Sequence, residues 1–223
     1  MEKACYSSQF KKGIISISID DGNAEDFRLY ENVLLKYNLS ATFNVISSVI
    51  DGETNLTKDQ LKTIYDNPSM EIAAHGFSHK NDDEDILNGI SELRHKIGIT
   101  EKLIGFASPE SRMKNDFIEE NQAHLKELGL LYVRTAANPF PNERHLEIQN
   151  RIKLEDVSDF VIQNIPQLIF SFEGMCVNSV VVYNHTSLDD LKKLVDIAEA
   201  ERACVVFMFH KTKKKGEIGY DDL

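Results

Sequence analysis

Short runs that alternate apolar and polar residues take turns with longer segments of helical period between residues 13 and 210. Gly13–Asp20 reads GIISISID, isoleucine against serine and then aspartate, the period of a strand. Glu25–Asn38 sets Phe27, Leu29, Tyr30, Val33, Leu34, Leu35 and Tyr37 at mostly helical spacing. Ala41–Ile46 reads as a second strand, Thr57–Asn67 as a helix capped by Thr57, and Met70–Ala74 as a third strand stopping at His75. Asp82–Ile97 is a helix and Leu103–Ala107 a fourth strand. Asn115–Leu128 is a helix ended by Gly129, where a left-handed φ costs least, and Leu130–Thr135 follows as a strand. Ala136–Glu147, with Pro139 and Pro141, reads as a loop, Arg151–Leu154 as a short strand and Asp156–Gln163 as a helix. Val180–Asn184 is a strand, Ser187–Arg202 a helix capped by Ser187, and Ala203–Phe209 the last strand, ending at His210.

Strands alternating with helices over short connections imply an α/β fold with parallel strands covered by helices. Six or seven such units favour closure into a barrel over an open doubly wound sheet. Asp20, Asp21, His75, Pro109, Arg134, His185 and His210 all fall at or just past the C-terminal ends of these strands. In a parallel barrel those ends share one face, where active sites are built. Residues far apart in sequence would then line one pocket.

At 223 residues and 42% hydrophobic, the chain is expected to form one domain spanning 1–223. Its 25 basic against 36 acidic residues give a formal net charge of −11. That balance argues against nucleic acid or an anionic membrane as partner, since both need concentrated positive charge. The basic run Lys211–Lys215 reads as a solvated loop. No stretch approaches 18 apolar residues, and Met1–Cys5 lacks the apolar core of a signal peptide, so no membrane span is expected. The sequence leaves the compartment open: the cytoplasm is expected for the chain as written, and export if a leader has been removed. Cys5, Cys176 and Cys204 are odd in number and far apart, and read as reduced thiols.

The candidate chemistry lies in Asp20-Asp21-Gly22 and in His75-Gly76-Phe77-Ser78-His79. A divalent cation such as zinc takes two imidazoles and one carboxylate and leaves a position open for water. The remaining carboxylate is then free to accept a proton from that water. On one helical turn, residues four apart project from the same face, which would pair His75 with His79. Each piece has an ordinary reading as well. With 7 histidines, an HxxxH pair arises by chance in about one chain in five, and Asp-Gly after a strand is a common turn. This is not the HExxH motif, because Gly76 stands in place of its glutamate. Two adjacent carboxylates ending a buried strand need a cation or hydrogen bonds to offset their repulsion. His210 could protonate a leaving group from the same rim, whereas position alone supports His185. His95, His124 and His145 read as surface residues. Arg134 is either an exposed strand-end charge or a group orienting a carboxylate such as Asp20.

These residues resemble the polysaccharide deacetylase (NodB-homology) family. Its first motif, (T/S)-x-D-D-G after a strand, is matched by Ser18-Ile19-Asp20-Asp21-Gly22, and its two-histidine motif by His75–His79. Ala41-Thr42-Phe43 is similar to its second strand, Gly105-Phe106-Ala107-Ser108-Pro109 to its third motif, and Val205–His210 to its last. The likeness covers roughly residues 13–212. It implies a distorted (β/α)7 barrel and removal of acetyl groups from an N- or O-acetylated carbohydrate. It further implies Asp21, His75 and His79 as metal ligands, Asp20 as catalytic base and His210 as general acid. Pro109 and Arg134 are the expected substrate-binding residues, and the cofactor is a divalent metal, Zn2+ first and Co2+, Mn2+ or Ni2+ as alternatives. Departures from the pattern are concentrated in the third motif, often R-P-x-Y-G. Here Ala107 stands in place of the arginine and Glu110-Ser111 in place of Tyr-Gly, leaving Arg112 and Arg134 as candidates to substitute. The chain also ends at Leu223, 13 residues after His210, where the family continues into a final helix. Two other readings stay open: a family member that binds glycan or metal without turnover, and a metal-dependent hydrolase of a non-sugar amide or cyclic imide.

Overall fold

Seven parallel strands pair in chain order, and the last pairs with the first, so the sheet closes into a barrel. The computed structural model describes residues 12–136, 174–182 and 188–210. The strands are β1 (Ile14–Asp20), β2 (Ala41–Val45), β3 (Met70–Ala74), β4 (Ile104–Ala107), β5 (Leu130–Ala136), β6 (Cys176–Val181) and β7 (Cys204–His210). The helices are α1 (residues 26–37), α2 (Lys58–Tyr65), α3 (Asp83–Ile97), α4 (Asn115–Glu120), α5 (Gln122–Glu127) and α6 (Leu188–Glu201). Among the described residues no helix is long and apolar enough to cross a membrane.

The period-two pattern sorts each strand into an outer apolar face and an inner face of different character. Ile19, Phe43, Ile72, Phe106 and Val133 face outward and join Leu61 and Ile64 of α2 and Ile86, Ile90 and Leu93 of α3 in the main core. All are 4% exposed or less, and each such side chain contributes roughly 1.5–3 kcal/mol by leaving water. A second cluster joins Leu194 and Ala198 of α6 to Val182, Val205 and Phe207. The alternate residues point inward. Val177, Cys204 and Val206, with the Tyr132 ring against them, fill the barrel interior. Tyr132 donates its hydroxyl to Glu71 Oε2 (2.9 Å), which also accepts from Thr42 Oγ1 (2.8 Å). Above this floor the inward residues are polar: Ser18 and Asp20 from β1, Asn44 from β2 and Arg134 from β5.

Several elements differ from their sequence-based expectation. The helix expected over Glu25–Asn38 forms, but Tyr30–Leu34 within it is a π turn. The helix expected over Asn115–Leu128 breaks at Asn121, whose side chain donates to the Phe117 carbonyl (2.8 Å) and so competes with the backbone ladder. β6 starts at Cys176, not Val180. Asn178 and Ser179 interrupt the apolar run in the sequence, yet both are buried because the β5 pairing at Thr135 and Ala136 holds them in the wall. Of the loop expected over Ala136–Glu147, Ala136 instead ends β5, where it pairs with Ser179. The rest of that loop, the expected strand Arg151–Leu154, helix Asp156–Gln163, Ser187 cap, Cys5, His145, His185 and Lys211–Lys215 lie outside the described residues. Cys176 and Cys204 are free, and burial pushes their thiols up to about 12, with Glu119 adding to it, and about 11 respectively.

Candidate metal and base site

At the C-terminal rim, β1 delivers Asp20 inward and then turns sharply. Asp21 (φ 76°) and Gly22 (φ 72°) are both left-handed, and this reverses the chain so that the Asp21 carboxylate reaches the mouth. A left-handed φ is uncommon for a residue with a Cβ and costs on the order of 1 kcal/mol. His79 (φ 65°) has the same strained backbone. His75 follows β3, tied by its amide to the Val45 carbonyl (3.0 Å), and the segment after it is an irregular turn. The helical turn expected to pair His75 with His79 is therefore absent. Gly76 (φ 77°) and His79 fold the loop back instead, and bring the two rings edge to face at 4.8 Å.

Asp21, His75 and His79 offer one ligand atom each, all within 4.8 Å of one another. His75 Nε2 and His79 Nε2 lie 3.5 and 3.9 Å from Asp21 Oδ1. Ligand atoms around one tetrahedral ion with bonds of ~2.1 Å stand about 3.4 Å apart, so a small contraction suffices. The chemistry of the donors agrees. His75 Nδ1 lies 2.8 Å from the Ala107 carbonyl oxygen, which can only accept, so Nδ1 carries the hydrogen. In the neutral ring Nε2 then presents a bare lone pair to the Asp21 and Asp20 carboxylates, the latter at 4.0 Å. Lone pairs converging in this way suit a cation between them. The hydrogen bond from the far ring nitrogen also sets the ring's orientation, as ligating histidines commonly require.

Asp20 lies just beneath, its side chain 2% exposed. Arg134 Nη2 donates to both of its oxygens at 2.5 Å, and Asn44 Nδ2 donates to Oδ1 at 2.8 Å. Burial pushes the Asp20 carboxyl up, but the Arg134 guanidinium, helped by His75 and His210, outweighs it and holds the group below its ordinary value. Asp21 is treated similarly: burial raises it, while His75, which donates to it only when its ring carries both protons, and the charges of protonated His75, His210 and His79 lower it further than burial lifts it. For His79, burial and then the neighbouring His75 favour the neutral ring and exceed the pull of Asp21, Glu110 and Asp20. His210, at the end of β7, sets Nε2 3.6 Å from Asp20 Oδ2.

Each residue named from the sequence and described can thus be placed. Asp20, Asp21, His75, His79, Arg134 and His210 meet at one rim. Of the two readings of Arg134, the buried one holds: it is 2% exposed and directed at Asp20, and its other Nη contacts Met208 Sδ. It leaves β5 beside Ala107, its register partner on β4, so the guanidinium sits one strand from where the third motif has its arginine. Arg112 instead pairs with Glu110 at the surface (2.5 Å). Pro109 is buried in the turn after β4, with its carbonyl held by Asn81 Nδ2 (3.0 Å). His95 is exposed, and His124 is exposed and paired with Asp83 at 2.9 Å. Sequence reasoning missed Asn44, although its place between Phe43 and Val45 on the polar face of β2 was a signal available in the alternation.

The family profile described as Polysaccharide deacetylase matches residues 7–140. The chain belongs to the polysaccharide deacetylase family. A polysaccharide deacetylase from Bacillus cereus superposes with a TM-score of 0.55 at 15% identity, covering 80% of this chain and 50% of its own. A de-N-acetylase from Aggregatibacter actinomycetemcomitans gives 0.51 at 15% identity, covering 78% and 72%. IcaB from Ammonifex degensii gives 0.51 at 16%, covering 81% and 71%. The chain thus spans half the length of the first and about seven-tenths of the other two. These likenesses establish the deacetylase (β/α)7 barrel as the fold. No curated protein matches the chain significantly.

Proposed function

We propose that the protein is a metal-dependent hydrolase that removes acetyl groups from an N- or O-acetylated carbohydrate. The observation that carries this reading is the convergence of one ring nitrogen each from His75 and His79 with the Asp21 carboxylate, beside a buried, arginine-clamped Asp20. When bound by Asp21, His75 and His79, a divalent cation, with Zn2+ the best match to this donor set, supplies Lewis acidity that polarises a carbonyl and acidifies water. Asp20 takes up the water proton at Oδ2, the oxygen that faces His75 and His210, because Arg134 donates to both oxygens but Oδ1 alone also accepts from Asn44. A carboxylate held below its ordinary pKa is a weak base, so the clamp trades basicity for a defined position and a permanent charge. His210 Nε2 delivers a proton to the departing amine or alcohol, and the backbone near Glu110 faces the oxyanion. Pro109 and the Glu110 turn border the place where the sugar lies.

Binding without turnover drew its support from Ala107 in the third motif, and the Arg134 clamp on Asp20 favours turnover instead. Acetate release from acetylated xylan, chito-oligosaccharides and peptidoglycan tests the reading. Activity on at least one, falling about 10²–10⁴-fold in Asp20→Asn and lost together with bound metal in Asp21→Ala, is expected. Undiminished metal in both Asp21→Ala and His79→Ala, or cleavage confined to small imides, would overturn it.

A further inference from the structure

We infer that Asp85, in the first turn of α3 and remote in role from any ligand, is the positioning residue that holds His79 in its ligating backbone conformation. This rests on the metal-site reading above. Asp82 caps α3 by accepting from the Asp85 amide (3.1 Å), which places Asp85 third in the helix. In a capping box the third side chain returns to the cap's own amide. Asp85 turns away from it and engages the histidine loop. Its Oδ1 and Oδ2 accept from the Ser78 amide at 2.9 and 3.1 Å, Oδ1 from the Ser78 hydroxyl at 2.6 Å, and Oδ2 from the Lys80 amide at 3.0 Å. Its backbone carbonyl accepts from Phe77 (3.0 Å). One residue therefore collects the amides on both sides of His79, the loop's left-handed residue that carries a Cβ.

The steric fit points the same way. A Cβ at Gly76 would come within 2.5 Å of Asp85 Oδ2, and one at Gly89 within 2.8 Å of the Gly76 carbonyl carbon. The loop lies directly on the helix, and Asp85 is 6% exposed beneath it. Without a carboxylate there, the Ser78 and Lys80 amides lose their shared acceptor and His79 loses what offsets its strained φ. His75 is held independently, by the Val45 and Ala107 carbonyls. Loss of Asp85 should thus loosen one ligand of three. Replacing the acid by its amide would present an N–H to one of two N–H donors, so even this isosteric change breaks the arrangement.

Competition against a chromophoric chelator for Co2+, with the visible spectrum read at saturation, tests the assignment in the purified full chain. Asp85→Asn is expected to bind Co2+ about 10–100-fold more weakly, the usual effect of removing a group that orients a ligand, with an altered d–d spectrum. Glu84→Gln removes the same charge from the same helix turn at an exposed position and should match wild type in both. A folded Asp85→Asn with wild-type affinity and spectrum overturns the inference, even if it melts at lower temperature. Should Asp85→Asn not fold, Ser78→Ala deletes only the 2.6 Å hydroxyl contact. A several-fold weaker affinity and a shifted spectrum then support the inference, and wild-type values overturn it. If wild type binds Co2+ no better than His79→Ala, the metal site itself fails, and this role with it.

Discussion

Asp20 carries a full charge where water scarcely reaches, and Arg134 makes that tolerable. An ionised carboxylate 2% exposed would ordinarily take up a proton to escape its desolvation cost, yet the guanidinium, with Nη2 donating to both oxygens, holds it ionised. The two charges are mutually dependent, and removing one leaves the other stranded. Arg134→Leu should therefore destabilise the fold by about 3–5 kcal/mol and raise the Asp20 pKa. Urea unfolding at neutral pH checks the first, and carboxylate titration by NMR the second. The double variant Arg134→Leu/Asp20→Asn should recover a large part of the loss, because neither charge is then left unpaired. Recovery of stability without recovery of activity is the expected pairing. A double variant no more stable than Arg134→Leu alone would mean that the guanidinium acts chiefly through its packing against Met208.

Among the elements, helix starts were the most legible parts of the sequence because their signals are local. Thr57 accepts from the Gln60 amide (3.2 Å) and Gln60 Oε1 accepts from the Thr57 amide (2.9 Å), a complete capping box before α2. Thr57→Ala should cost about 1 kcal/mol in thermal or urea unfolding and leave Co2+ affinity unchanged, since α2 contributes nothing to the rim. Asp82 caps α3 in the same way, but the residue three places on has been diverted to the histidine loop. That diversion gives a pH dependence of stability. Burial tends to raise the Asp85 carboxyl, but the Ser78 hydroxyl and the Ser78, Lys80 and Phe77 amides prevail and hold it below its ordinary value. The stability it confers is then complete above its unfolded pKa of about 3.9, and is lost as pH falls through the lower folded value. The stability gap between wild type and Asp85→Asn should stay level from about pH 8 to pH 5 and close below about pH 4. A gap that widened in acid would contradict that sign. What the sequence did not reveal at this scale was set by tertiary contacts, as when Asn178 and Ser179 masked the start of β6 while the β5 pairing drew them into the wall.

Across the whole molecule, the rim was legible for a topological reason: parallel strands in a closed barrel must bring their C-terminal ends together, so position in the motif was nearly position in space. The partnership of Arg134 with Asp20 stayed open in the sequence because 114 residues separate them, and only the register of β5 beside β4 aims the guanidinium inward. The interior was harder still. The serines, Thr42, Asn44 and Glu71 sit on the polar side of alternating strands, where a soluble sheet would present water-facing residues, but here the helices take the apolar side and the polar side closes on itself. Polar groups then reach from the Glu71–Tyr132 floor to the Asp20–Arg134 rim, and the floor is filled by one large ring. Gly105 makes room for it, since a Cβ there would overlap the Tyr132 ring. Gly105→Ala should consequently cost about 1–3 kcal/mol by overpacking. Combining it with Tyr132→Val should cost less than the sum of the single changes, because the smaller side chain removes the clash. Urea unfolding of the four-member cycle measures the coupling. Floor and rim share the wall of the barrel but no hydrogen bond between Tyr132 and Arg134 or Asp20 links them, so Co2+ affinity should stay at the wild-type value in Gly105→Ala while stability falls. A parallel loss of affinity would show that the packing of the floor sets the geometry of the rim.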